Sequence, residues 1–219
     1  MSDTERLPDK NEMSTYIIQS QEEEIKRIAL ELHEGVGQTL YSLYTGMQFI
    51  GNAVEQDEMK GYVSDMAELL EKTIQEIRLL AVELHPPTLT TLGLLPAMKS
   101  YLKLYTSTYG IEVELETSGK EVPLEERQRI TLFRVCQEAL ANIARYADTV
   151  KAEMTFTWQF DHLSIIIKDK GRGFDKDKGW HQSTGLAAMR ERMHLIGGEW
   201  HLSTKIGEGT VVELYLPFI

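Results

Sequence analysis

The segment ELHEGVGQ, residues 31–38, sets His33 beside Glu34 and places Gln38 four residues beyond that acid. A neutral imidazole has one ring nitrogen free to attack phosphorus, while the other carries a proton that a neighbouring carboxylate orients and accepts. Glu34 is placed for that role. Gln38 shares a helix face with Glu34, where its amide could hold a water in line with a phosphorylated carboxylate on a docked partner. Gly35 and Gly37 each cost a helix interior roughly 1 kcal/mol relative to alanine, and two of them around one histidine suggest room left for an incoming group. An ordinary solvated helix face carrying an idle Glu/Gln pair is the plain alternative, and these residues alone do not choose between the two.

A second set of chemistry-bearing residues lies in the other half of the chain. In DKGRGF, residues 169–174, a carboxylate follows a run of β-branched residues. At a strand end, Asp169 could accept the amino group of a purine, and Gly171 and Gly173 permit the close backbone approach that nucleotide loops use. Upstream, QEALANIARYAD carries Glu138 and Asn142 on one helix face, a carboxylate and an amide able to hold Mg²⁺ against triphosphate oxygens. Thr184, Gly185 and Leu186 open a further helix whose free amides could cradle phosphates. The Thr210 hydroxyl, in a glycine turn between strands, could reach the Asp169 site. A strand-end turn, surface polarity, an N-cap and a hairpin explain these features equally well one at a time.

The elements that must position these residues differ between the halves. Apolar residues at Ile25, Ile28 or Ala29, Leu32, Val36, Leu40, Leu43, Met47, Ile50 and Val54 are spaced by threes and fours, which predicts a long amphipathic helix with His33 one step off its seam. After a polar break at residues 55–58, with Asp57 as N-cap candidate, the pattern resumes from Tyr62 or Val63 to Leu84 and stops at Pro86 and Pro87. A lone hairpin covers such seams only in part, and pairing into a four-helix bundle would cover the rest.

From about Leu89 the period changes. The sequence predicts a helix from Leu94 to Tyr109 ending at Gly110 and a strand over Ile111 to Leu115. A helix after Pro123 follows, with Ile130, Phe133, Leu140, Ala141 and Ala144 as its buried face. Strands over Val150 to Trp158 and His162 to Lys168, a helix from Leu186 to Ile196, and strands over Glu199 to Thr204 and Thr210 to Leu216 complete a two-layer α+β sandwich with mostly antiparallel strands.

Composition narrows the function classes. A formal net charge of -11 would repel nucleic-acid phosphates, so direct nucleic-acid binding is not expected. The single cysteine, Cys136, excludes an internal disulfide and is expected as a core residue in a reducing, cytoplasmic setting. No apolar run reaches the roughly 18 to 20 residues of a membrane span, and the polar start MSDTERLPDKNEMS is no secretory signal.

Taken together, these segments resemble the two-component sensor histidine kinases, in particular the subfamily that pairs with LuxR-type, helix-turn-helix response regulators. The likeness runs from about Gln21 to Pro217. It rests on four boxes in order: the phosphoacceptor box with His33, the N box with Glu138 and Asn142, a glycine box at Asp169, Gly171 and Gly173, and a second at Gly185 and Leu186 followed by Met189, Arg190, Glu191 and Arg192. LHPPTLTTLGLLPAM, residues 84–98, looks like the subfamily's segment joining hairpin to ATPase domain.

The resemblance implies three regions. Residues 1–20 are a polar N-terminal segment, residues 21–86 a dimerising phosphotransfer hairpin in a four-helix bundle, and residues 87–219 a Bergerat-type ATPase domain with a lid over about 171–184. It implies ATP and Mg²⁺ as cofactors, Asn142 and Glu138 at the metal, Asp169 at adenine, Arg145 as the basic residue of the N box and Gln38 in phosphatase chemistry. It implies autophosphorylation of His33 and transfer to a response-regulator aspartate. The partners so implied are a second copy of the chain, a LuxR-type regulator, and a sensor or membrane reached through a missing segment or partner protein. Glu34 stands where the family usually has Asp, Lys170 where it has Asn, and Tyr146 where it often has His. A scaffold adaptor with a degenerate ATPase domain is the alternative function, and a serine kinase or mechanical ATPase a second one.

Overall fold

The computed structural model describes residues 24–175 and 184–218. The polar start and residues 176–183 of the expected lid lie outside the described residues. The chain divides into two compact units, Met1–Pro86 and Pro87–Ile219.

The first unit is a helical hairpin. Helix α1 covers residues 24–53 and α2 covers Asp57–Leu84, joined by only three residues. Such a short connection forces antiparallel packing, and the contacts descend in register. A Cβ on Gly51 would sit 3.2 Å from Val63, the Tyr44 hydroxyl meets the Glu71 carboxylate at 3.5 Å, and Arg78 lies 5.9 Å from the centre of the Tyr41 ring. Asp57 is not the N-cap. It is the first helical residue, flanked by extended Gln56, and with Glu58 it sets negative charge in the first turn, where the helix dipole favours it.

One neighbour covers one stripe of a helix, so the expected seam is only partly buried. Ala29, not Ile28, is covered, while Val36, Leu43 and Ile50 are exposed, as are Tyr41, Tyr62 and Leu69; Phe49 is 77% exposed. An apolar surface of this extent along both helices needs a partner to leave water.

The second unit begins with a turn of helix that the sequence marks only as a stop: α3, Pro87–Thr91, has Pro87 as its first residue, where the fixed φ suits a helix start and the missing N–H is not needed. Helix α4, Leu94–Tyr109, ends at Gly110, and strand β1, Glu112–Ser118, follows. Helix α5 runs Glu126–Asn142 and continues as a π-helical turn over Ile143–Ala147. Then come β2, Lys151–Trp158, β3, His162–Asp169, helix α6, Thr184–Leu195, β4, Glu199–Lys205, and β5, Gly209–Pro217.

The strands form one sheet in the order β1-β2-β3-β5-β4, parallel only between β1 and β2. Period-two alternation sends Met154 and Phe156 of β2, Ile165 and Ile167 of β3, and Val212 and Leu214 of β5 to one buried face, and register pairs them as layers. Helix α5 packs on both β3 and α4, so more than one stripe is covered. Leu132, Val135, Cys136 and Ala139 are therefore buried with Phe133 and Leu140, whereas Ile130, Ala141 and Ala144 are only half-buried. Tyr101 meets Phe133 edge-on at 5.7 Å, and the buried Tyr105 hydroxyl donates to the Leu140 carbonyl at 2.9 Å, which fixes α4 against α5. Cys136 is a core residue as expected, and burial pushes its thiol up to about 12, far from the thiolate range.

Among the described residues no helix is long and apolar enough to cross a membrane.

Candidate functional site

The alternation along β3 decides the character of the site. Leu163, Ile165 and Ile167 face the core, so Asp169, the next residue of that set, faces it too and is only 4% exposed. A buried carboxylate must find donors. Oδ1 accepts the Gly171 N–H at 2.8 Å, and the Thr210 backbone N–H, opposite it in the β3–β5 ladder, also favours its ionised form. Burial outweighs these two and holds the carboxyl above the usual aspartate range. An ionised carboxylate offers about four lone-pair sites, so acceptor capacity remains for a ligand.

That capacity fronts a cavity of about 510 Å³. Its walls come from α5 through Glu138, Asn142, Arg145 and Tyr146, from the loop after β3 through Arg172, Gly173 and Phe174, from α6 through Gly185, Leu186 and Met189, and from β5 through Thr210. Ile167, Leu202 and Val212 supply an apolar floor, and strand alternation alone could have pointed to Ile167 and Val212.

Of the expected nucleotide-binding residues, Glu138, Asn142, Arg145, Asp169, Gly173, Gly185, Leu186 and Thr210 line this cavity, and Gly171 does not. Its role is behind the wall: a Cβ there would lie 2.1 Å from the Ala147 carbonyl oxygen, so only glycine lets the loop cross the end of α5 while its amide holds Asp169. Gly173 adopts φ +56°, and a Cβ there would strike the Lys205 carbonyl at 2.0 Å. Gly185 packs so near Glu138 that a Cβ would meet Oε1 at 2.3 Å. Gly171→Ala is therefore expected to force the loop off α5. Overpacking of this kind costs about 1–3 kcal/mol, a fall of roughly 2–12 °C in the melting temperature of the full chain; a melting temperature within a degree of the parent would show that the loop has slack.

Thr204 was not foreseen. Its hydroxyl donates to the Gly209 carbonyl at 3.1 Å, accepts the Phe174 N–H at 3.1 Å and lies 3.2 Å from the Thr210 hydroxyl, so it ties the loop to the β4–β5 hairpin. The Thr210 hydroxyl thus spends part of its capacity on Thr204. Lys170 does not face the cavity: its ammonium pairs with Glu153 on β2 at 3.3 Å, beside Lys168 at 3.6 Å. Lys170 thus adds no charge to the cavity wall.

The residues present fit a nucleotide and its cation. Asn142 has a buried amide nitrogen without a partner, which costs about 1–3 kcal/mol until an acceptor arrives or the amide turns its oxygen inward. No cluster of three or more acidic, histidine or cysteine side chains suited to a metal occurs among the described residues. A cation here would need phosphate oxygens to complete its shell, as Mg²⁺ with a nucleotide has.

In the hairpin, His33, Glu34 and Gln38 are all exposed. The helix around them is not regular. Glu31–Val36 is π-helical, with the Gly37 N–H donating to the Leu32 carbonyl five residues back. π-turns are rare and favour functional positions; this wider winding moves the residue stacked over Gln38 from Glu34 toward His33. Gly35 has no atom within 4 Å of an added Cβ, so it opens the surface beside the histidine, and the Thr39 hydroxyl donates to its carbonyl at 2.9 Å.

Comparison with known proteins agrees with both units. Residues 24–89 match the family described as histidine kinase, and residues 127–219 match the histidine kinase-, DNA gyrase B- and HSP90-like ATPases. The chain is 30% identical over 219 residues to the signal transduction histidine-protein kinase/phosphatase DegS of Brevibacillus brevis, covering 97% of this chain and 57% of that protein. It is 31% identical over 211 residues to the oxygen sensor histidine kinase NreB of Staphylococcus carnosus, covering 95% and 60%. It thus spans less than two thirds of either relative. The histidine kinase domain of the blue-light activated histidine kinase from Erythrobacter litoralis shares the fold at 14% identity, with a TM-score of 0.51 over 82% of this chain and 94% of that one. A longer form of the same protein gives 0.53 at 16% identity, over 99% and 62%. With a histidine kinase unit and an ATPase unit matched in that order along its length, the chain belongs to the histidine kinases.

Proposed function

We propose that this chain binds ATP in the cavity at Asp169, phosphorylates His33, and passes the phosphoryl group to an aspartate of a response regulator. The observation that carries the reading is the buried, partly satisfied Asp169 carboxylate at the end of β3, facing a cavity of nucleotide size beside the unpartnered Asn142 amide. A carboxylate in that setting accepts the purine amino group, and the apolar floor takes the ring.

In the reaction a His33 ring nitrogen forms a bond to the γ-phosphorus. The bond from that phosphorus to the β–γ bridging oxygen breaks, and ADP leaves with the electron pair. Glu34 orients the second ring nitrogen and takes the proton that the imidazole gives up. Asn142 and Glu138 would hold the Mg²⁺, which when bound neutralises charge on the phosphoryl oxygens. Gln38 then positions a water against the phosphorylated regulator, giving the chain a phosphatase activity as well.

The exposed apolar residues of both hairpin helices support a homodimer built as a four-helix bundle. A LuxR-type regulator is the partner we assign, and the cytoplasm, where ATP and such a regulator meet, is the compartment. The adaptor reading needs a cavity that no longer admits a nucleotide, and the glycines and Asp169 that shape this one are in place.

The full chain incubated with γ-labelled ATP and Mg²⁺ should acquire label that is labile to acid and stable to alkali. Acid-stable label on a hydroxyl residue would overturn the histidine assignment. Absence of nucleotide binding would favour the adaptor.

A further inference from the structure

One residue ties down the cavity loop on three sides. Arg172 donates its backbone N–H to the Ala147 carbonyl at 2.8 Å, accepts the Gly207 N–H at 2.7 Å, and donates from Nε to the Tyr146 carbonyl. Tyr146 and Ala147 close the π-turn of α5, where carbonyls lack intrahelical donors and the helix dipole favours a cation. A guanidinium has five N–H groups in a rigid fork. Nε uses one, and the four on the Nη atoms have no partner among the described residues, although Arg172 lines the cavity and is exposed.

The described lining holds two cations, Arg145 and Arg172, and two carboxylates, Glu138 and Asp169. In a chain of net charge -11, a polyphosphate entering this cavity needs local positive charge. If the buried Asp169 takes the base end, the exposed Arg172 three residues later is left on the solvent side of the cavity for the phosphates.

We infer that Arg172 reads the nucleotide's polyphosphate: the Tyr146 carbonyl fixes the guanidinium plane, and the Nη fork donates to the phosphate oxygens beyond the first. A lysine at this position would keep the charge but lose both the fork and its anchor. The assignment rests on the nucleotide reading of the cavity and makes Arg172 the residue that separates ATP from AMP.

The test measures affinities of the full chain, Arg172→Gln and Arg172→Lys for AMP, ADP and ATP by calorimetry. Arg172→Gln should weaken ATP by roughly 10–100-fold, ADP by less, and AMP by no more than about threefold. Arg172→Lys should recover only part of the ATP affinity. Equal weakening of all three nucleotides would reduce Arg172 to a strap, and an unchanged ATP affinity would remove it altogether. Should Arg172→Gln fail to fold, the ATP-to-AMP ratio of Arg172→Lys decides the same question. A parent chain that binds ATP but forms no phosphohistidine would sink the kinase reading and leave this assignment standing; one that binds no adenine nucleotide would sink both.

Discussion

The full chain carrying His33→Gln is expected to bind ATP with the parent's affinity and to acquire no acid-labile label, a loss beyond roughly 1000-fold in phosphoryl incorporation. Glutamine keeps a polar side chain of similar reach at an exposed position, so the hairpin should melt as the parent does. It lacks a nitrogen lone pair, because the amide nitrogen is delocalised, so no bond to phosphorus forms. The cavity lies in the other unit and is left untouched. Retained label in this variant would place the acceptor elsewhere. Lost ATP affinity would show that the histidine contributes to binding rather than to chemistry.

How far the sequence revealed this arrangement depended on the range of the interaction concerned. Asp169 was legible as a carboxylate at the end of a β-branched run, a local signal; that the strand extends through it and alternation with 163, 165 and 167 buries it on the core face came only with the structure. Helix α4 and its end at Gly110 were legible from local signals too. Thr204 and the anchors of Arg172 were not, since they bind residues some 25 to 35 positions away and depend on β3, β4 and β5 pairing in one order. Gly171 suggests room for a ligand in sequence, and its close neighbour is instead the Ala147 carbonyl. The π-turn at His33 leaves no mark in apolar spacing, and the two glycines that suggest space around the histidine fall in it or directly after it. Lys170 stands out in sequence as a departure at the site, but its pairing with Glu153 needed the β2–β3 register to be known.

Asp169→Asn should trade function for stability. Two backbone N–H groups demand the acceptor oxygen at this position, so the variant's NH₂ turns toward the cavity. There it meets the adenine amino group donor to donor. Losing a charge-assisted bond costs about 1.5–3 kcal/mol, and with that repulsion ATP affinity is expected to fall about 100-fold or more. Guanine offers a carbonyl oxygen where adenine has its amino group, so GTP should lose far less and the preference for ATP should narrow. Stability should move the other way. Burial raises the folded-state pKa of Asp169 above its unfolded value, so the folded chain binds the proton more tightly. Below the unfolded pKa the group costs nothing. As pH rises through the ordinary aspartate range and past the raised folded value, the native chain loses stability. Asparagine does not titrate, so the variant should melt above the parent at about pH 7, with the gap closing as pH falls below the ordinary aspartate pKa. A variant that melts lower at neutral pH would mean that the two amide bonds outweigh burial, and undiminished ATP affinity would remove Asp169 as the reader of the purine.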